Sequence, residues 1–399
     1  MRNMDELRPL QDEEIAETLL RKNASRIVVR GCGTAGQDSW SLNEGTGLDL
    51  RGLNGVLFLD RRSGLAEVEA GVTLGALATL AERGGCVLPV RPPSLRGTVG
   101  GAIATDCFGG NHPSAGSFGH QVLWIDLMNA RGRVHRLSPE TTPERFWATV
   151  GGMGLTGIIL RAGLRLQTVG SAAPVRRTVR VDSLDLAVQQ LNENAFSGEN
   201  LNSTVWTQRG GRGLMESEHQ VQGQRLPRSA RWGQREGVGR DTRRRLARLG
   251  QALHPAELGQ SYPGLFGLVR HHCAIPLGAD TTLARIFGLL KAARVGPVLT
   301  TLQRLGAGNP APLSFPLPGW ALALNFPSGR AGLPATLADV DALVMQAGGR
   351  LHLGQDSWLD APGVAAMYPG LPGWRRVRDE MDPGRVFASN LAIRTGLVE

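Results

Sequence analysis

Lysine is nearly missing from this chain: Lys22 and Lys291 are the only two, and the rest of its 44 basic residues are arginine. No GxxxxGK[ST] string occurs anywhere, which excludes a P-loop nucleotide hydrolase. Long apolar runs are missing too. No stretch reaches the roughly 18 uncharged apolar residues of a membrane-spanning helix. The first residues, MRNMDELRPLQDEE, are polar and acidic, unlike a signal peptide, so the expected location is cytoplasmic. Cys32, Cys86, Cys107 and Cys273 show neither CxxC nor metal-ligand spacing and are expected as free thiols. The eight histidines include no HExxH, and His271 and His272 are adjacent rather than one helical turn apart, so no metal site is expected. No Ser/His/Asp set and no paired glutamates stand out, which leaves hydrolase chemistry without support.

With 399 residues and 41% apolar content the chain is long enough for two domains with their own cores. The net charge of +9 is concentrated. Residues 209–250 hold eleven arginines against Glu216, Glu218, Glu236 and Asp241, a net of +7. Rich in glycine and glutamine as well, this stretch reads as a solvated loop. It is either plain surface charge or, over 225–248, an attractor for a phosphate-bearing substrate or an anionic membrane surface. No aromatic interleaving accompanies it, so no nucleic-acid partner is expected.

Glycine is abundant and clustered. Residues 97–119, GTVGGAIATDCFGGNHPSAGSFG, contain seven glycines, and a shorter run, RGCGTAG, lies upstream at 30–36. Such runs let backbone N–H groups approach a flat, anionic ligand without Cβ atoms in the way. Residues 95–101 do not read GxGxxG opening a helix. Either run alone is also what an ordinary surface loop looks like; two separated runs suggest one long cofactor clasped from both sides.

Periodicity predicts an α+β organisation. Strands are expected at 26–30, 56–60, 66–71 and 157–169, a helix at 73–82 ending at Gly84 and Gly85, and a hairpin over 125–137 turning at Arg131 and Gly132. Residues 175–192 alternate and then turn helical. Residues 281–293 carry Leu283, Ile286, Leu289 and Leu290 along one stripe, and 335–346 form another helix. These elements divide into a first domain over 1–168, a mixed α/β domain over 169–371 and a closing segment over 372–399, whose Asp382 and Pro383 can cap a helix or turn.

The strings TVGGAIATD, NHPSAGSFG, FWATVGGMGLTGII, APLSFPLPGW, GGRLHLGQDS and MDPGRVFAS occur in this order from residue 98 to 389. On them the chain resembles the vanillyl-alcohol oxidase type (PCMH-type) of FAD-binding flavoprotein, and within that type the decaprenylphosphoryl-β-D-ribose oxidase group. The resemblance implies a two-lobed FAD-binding domain beside the α/β substrate domain, with the last segment returning to the FAD lobe. It implies FAD with its pyrophosphate on the backbone of Val29, Arg30, Gly31, Cys32, Gly33, Thr34, Ala35, Gly36, Gln37, Asp38 and Ser39. The isoalloxazine is implied along Pro93, Thr98, Val99, Gly100, Gly101, Thr105, Asp106, Cys107 and Phe108, with Ile159 and His352 as further contacts. The hydroxyls of Thr98, Thr105 and Ser114 can satisfy flavin or phosphate acceptors. Some relatives tether the flavin through a histidine in the first loop. None occurs here before His112, so FAD is expected to be noncovalent, and His112 reads as a structural hydrogen-bonding residue.

The substrate pocket departs from that group. Aligned by flanking motifs, Gly36 stands at the group's tyrosine, Phe108 at its histidine, and Gly110, Gln303 and Gln355 at three lysines. Ala321, Ala323 and Asn325 replace an asparagine, a cysteine and an aspartate, and His272 replaces a glutamine. The group's long insertion before the AIP string at 274–276 is missing. Positive charge and an acid leave together, so a lipid-linked ribose is not the expected substrate. A histidine titrating at about pH 6.5 can take an alcohol proton. The expected function is an FAD-dependent oxidoreductase passing hydride from a hydroxyl-bearing carbon of a sugar, cyclitol or related specialised metabolite to flavin. Its base is His352, His272 or an ordered water, Gln303, Gln355 and Asn325 position the substrate, and oxygen or a quinone is the electron acceptor. The other reading is a fold with altered or lost redox chemistry, a cyclase, an isomerase or a binding partner of another enzyme.

Overall fold

The computed structural model describes residues 5–21, 26–168, 174–195, 200–207, 213–220, 268–355 and 358–398. The expected hairpin appears as Val122–Met128 against Val134–Leu137, with Gly132 at φ +73 in its turn, a conformation costly for any residue with a Cβ. It extends an antiparallel five-stranded sheet ordered Val56–Asp60, Leu65–Glu69, Ile158–Arg165, Val122–Met128, Val134–Leu137. Beside it lies a parallel three-stranded sheet of Asp5–Leu7, Thr46–Asp49 and Ile27–Arg30. The helix Leu74–Arg83 starts where Thr73 accepts a hydrogen bond from Ala76 N at 3.2 Å and ends at Gly84. Leu74, Leu77 and Ala81 on one stripe are buried.

The second lobe is built on an antiparallel seven-stranded sheet, ordered 174–181, 213–220, 200–207, 299–305, 319–327, 268–276, 350–351. Helices Thr281–Ala292 and Leu333–Gln346 cover one face. Leu283, Ile286 and Leu290 of the first, and Leu337, Val340 and Val344 of the second, are buried, each contributing about 1.5–3 kcal/mol by leaving water. The arginine-rich stretch is not all loop: Gly213–Gln220 is a strand of this sheet, because its partners on both sides supply the ladder. The rest of 209–250 lies outside the described residues.

The chain then returns to the first lobe. Asp382 ends helix Leu371–Met381 and its carboxylate accepts Val386 N at 3.0 Å and Phe387 N at 2.9 Å. The turn so fixed lays the next residues on the first strand: Ile27 N donates to Val386 O at 2.7 Å and Ala388 N to Ile27 O at 2.9 Å. Buried Trp374 donates Nε1–H to Ala148 O at 3.0 Å and fastens the same helix to the first lobe. No helix among the described residues is long and apolar enough to cross a membrane, and all four cysteines are free.

Candidate active site

A cleft continuous with solvent opens between the two glycine runs and the large sheet. Its first wall is the chain leaving strand Ile27–Arg30. Gly31, Gly33 and Gly36 stand at GxGxxG spacing, yet the run leads into the 3-10 turn Gln37–Ser39 and not an α-helix, so no dinucleotide-binding βαβ unit forms. Gly33 has φ +63 and lies beneath the Trp40 indole, whose Nε1–H donates to Ala35 O at 3.1 Å. Among the described residues, the N–H groups of Cys32, Gly33, Thr34 and Ala35 have no acceptor, while Gly36 N donates to Gly354 O at 2.7 Å.

The second wall corrects the expectation of a loop at 97–119. Val99–Ala104 is a helix, capped by Thr98 Oγ1, which accepts Gly101 N at 3.2 Å. Its glycines let the helix lie on a strand end: Gly100 N donates to Ala70 O at 2.8 Å, and a Cβ there would meet Ala70 Cβ at 2.9 Å.

The floor is the large sheet, and strand parity decides what faces the cleft. In strand Leu268–Pro276, Arg270 and His272 line it. His271 points the other way, and its Nε2 meets Asp341 Oδ1 of helix Leu333–Gln346 at 2.6 Å. The register aligns three cross-strand rows: Arg270, Asn325 and Leu299; His272, Ala323 and Thr301; Ala274, Ala321 and Gln303. The small Ala321 and Ala323 leave a hollow rimmed by Arg270, His272, Thr301, Gln303 and Asn325.

Above this floor His272 Nδ1 lies 2.9 Å from Gln355 Oε1. An amide oxygen only accepts, so this arrangement puts the proton on Nδ1 and leaves Nε2 with a free lone pair. His352, Phe108 and Phe315 close round: His352 is 4.6 Å from Phe315 and 5.2 Å from His272 between ring centres. Burial first, and then the Arg270 charge, push the His272 pKa well below its ordinary value and that of His352 down to about 3. Both imidazoles are therefore neutral at pH 7. Burial lowers Arg270 to about 10, still a cation. Asn325 turns Nδ2 to Leu299 O at 3.3 Å and leaves Oδ1 without a donor.

A family model described as an FAD binding domain matches residues 7–138. Decaprenylphosphoryl-β-D-ribose oxidase of Mycolicibacterium smegmatis is 30% identical over 93% of this chain and 89% of its own length. The chain belongs to the PCMH-type FAD-binding flavoproteins. An uncharacterised protein of Streptomyces coelicolor is 32% identical over 82% of this chain and all of its own length. Among solved structures, 6-hydroxy-D-nicotine oxidase from Arthrobacter nicotinovorans superposes with a TM-score of 0.67 at 19% identity, over 97% of this chain and 92% of that one. The grass pollen glucose dehydrogenase Phl p 4 does so at 0.70 and 16%, over 98% and 90%. These two likenesses establish the fold: two lobes of mixed helix and sheet.

FAD is the cofactor of this flavoprotein, and the cleft fits it. The four acceptorless N–H groups at 32–35 suit a pyrophosphate, and Gly154, at φ +74, opens onto free space. Of the residues expected at the cofactor, Val29, Arg30, Gly31, Cys32, Gly33, Thr34, Ala35 and Ser39 line the first wall. Pro93, Thr98, Gly100, Gly101, Thr105, Cys107, Phe108, Ile159 and His352 line the rest.

Other expected contacts are placed elsewhere. Gln37 and Asp38 face a separate shallow groove, where Arg394 Nη2 holds Asp38 at 2.7 Å. Gly36 is taken up by Gly354, and Val99 points into the core. Asp106, at φ +44 and fully buried, accepts Gly119 N at 2.9 Å, Asn309 Nδ2 at 2.7 Å and the Ser314 hydroxyl at 2.5 Å, so it joins the two lobes instead of touching the cleft. Ser114 is exposed and donates to Asn111 O at 3.1 Å. The Thr98 and Thr105 hydroxyls bond the backbone of Gly101, one accepting from its N–H and the other donating to its C=O at 2.8 Å. His112 is outside the cleft and its Nδ1 accepts Gly306 N at 2.9 Å.

His272, Gln303, Asn325, His352 and Gln355 all line the cleft. Arg270, Thr301, Phe315 and Trp40 were missed. The alternation of VRHHCAIP, read as a strand, puts residues 270 and 272 on one face and was the available signal for Arg270.

Proposed function

We propose that this flavoprotein oxidises a hydroxyl-bearing carbon of a sugar, cyclitol or related polyol to a carbonyl, with His272 as the base. The carrying observation is the 2.9 Å contact between His272 Nδ1 and Gln355 Oε1 at the edge of a hollow lined by hydrogen-bonding groups. FAD, when bound, supplies the acceptor for the hydride that leaves the carbon. His272 Nε2 takes the hydroxyl proton, and Gln355 fixes the tautomer that makes this nitrogen basic. Gln303, Thr301 and Asn325 orient the remaining hydroxyls, and Ala321 and Ala323 leave room for the ring. Phe108 and Phe315 keep water from the imidazole. His352 stays neutral and forms the wall behind His272.

The test is anaerobic mixing of the holoenzyme with a panel of sugars, cyclitols and their acids while flavin absorbance is followed. Bleaching by a hydroxyl compound, reversed by oxygen or a quinone, supports the reading and identifies the acceptor. A flavin that dithionite reduces but that no hydroxyl compound bleaches would sink it and favour a non-oxidative reaction.

A further inference from the structure

Among the described residues, two arginines line the cleft. Arg30, on the first wall, is paired with Glu6 and lies 3.7 Å from Asp49. The Arg270 side chain, on the floor, has no hydrogen bond or ion pair with any other described residue, and its buried Nε has no acceptor. A half-buried guanidinium without a counter-charge is costly in a folded protein unless something else brings the negative charge. No described acid lines the cleft.

We infer that the substrate itself brings the charge: the site takes a hydroxy acid, a polyol or sugar bearing a carboxylate, which Arg270 holds while Asn325 Oδ1 accepts one of its hydroxyls. This rests on the oxidation proposed above and specifies its substrate class. Arg270 and Asn325 are direct cross-strand partners, so the carboxylate and a neighbouring hydroxyl of one ligand can reach both. Arg270 and His272 are two positions apart on one strand face, about 7 Å along the sheet, which sets the carboxylate a few carbons from the reacting hydroxyl. The planar two-donor edge of a guanidinium matches a carboxylate. Among the described residues the floor offers one cation, enough for a monoanion and short of what a phosphate monoester dianion requires. The chain thus carries a cation at 270 and glutamine at 303 and 355. Such a substrate is what oxidation of the terminal carbon of a sugar, or hydrolysis of the corresponding sugar lactone, delivers.

The experiment is an equilibrium titration of the oxidised holoenzyme, followed by the flavin difference spectrum, with gluconate, glucuronate, glucose and glucose 6-phosphate. Gluconate or glucuronate should bind ~10-fold or more tightly than glucose, and that preference should weaken with added salt. Arg270→Gln should abolish the preference, acids falling to the affinity that glucose has for the same variant, and Arg270→Lys should keep part of it. Equal affinity for acids and glucose in the unmodified enzyme overturns the inference, even if the variants do not fold. Tightest binding of glucose 6-phosphate overturns the carboxylate in favour of a phosphate ester. An Arg270→Gln enzyme with an altered flavin reduction potential and an intact preference for acids assigns Arg270 to the cofactor and also overturns it. Turnover reads separately. Acids that bind selectively without bleaching the flavin leave this inference standing and defeat the oxidation; bleaching without selectivity does the reverse.

Discussion

His272 and Gln355, 83 positions apart, meet at 2.9 Å because a strand and the 3-10 turn Leu353–Gln355 converge over the cleft; His352 N donates to His272 O at 2.9 Å and holds the two segments together. If His272 is the base, His272→Gln should lower kcat by about 100-fold or more while KM changes little, because proton removal belongs to the transition state. Gln355→Leu should lower kcat less and should be partly restored in Gln355→Asn. Steady-state kinetics on any substrate found by flavin bleaching check this. A loss in KM alone would make His272 a binding residue.

The pH profile follows from the same environment. Burial and then Arg270 hold the His272 pKa well below its ordinary value, so the base is already free at neutral pH. kcat/KM should be flat through the neutral range and fall only on the acid side, where His272 gains a proton. Groups able to move that limb are Arg270, His352, His271 and the Gln355 amide. Arg270→Gln removes a positive neighbour and should shift the limb to higher pH, measured with a neutral substrate. A limb that stays put would mean that another group titrates there.

Asp106 ties together segments 208 residues apart. Asp106→Ala strands Gly119 N, Asn309 Nδ2 and the Ser314 hydroxyl, and should cost about 3 kcal/mol or more. Asp106→Asn keeps one acceptor and should cost less. Burial raises the Asp106 pKa despite these donors. Its folded state therefore binds the proton more tightly than the unfolded chain. Its contribution to stability is greatest at acid pH and declines as pH rises from about 3.9 through the folded pKa. Thermal unfolding of the wild type and both variants across pH is the measurement. Equal stability of Asp106→Ala and wild type would refute the linking role.

FAD should leave with the supernatant on denaturation in acid, since neither His272 nor His352 lies on the first glycine run and His112 is outside the cleft. Gly31→Ala should lower FAD content without unfolding the protein. Its Cβ would collide with Thr98 Oγ1, the cap of helix Val99–Ala104, and disturb both walls at once. Absorbance of the purified variant, before and after denaturation, checks both statements. Flavin that stays with the precipitate would show a covalent bond.

Much was legible in the sequence alone. The strand at 56–60, the helix after Thr73, the hairpin at Gly132 and the two later helices are local consequences of periodicity, capping and turn residues. The ordered motifs carried the family and its FAD. Tertiary structure decided the rest, because burial and register are set by neighbours far away in the chain. It made a helix of Val99–Ala104, where glycines read as a loop: Gly100 serves contact with Ala70. It buried Asp106 behind partners from 309 and 314. It turned His272 to the cleft and His271 to Asp341, a choice that strand parity allows either way until the sheet has a covered side. And it left Arg270 facing the hollow without a counter-charge among the described residues, a property of the assembled sheet that no local string of residues encodes.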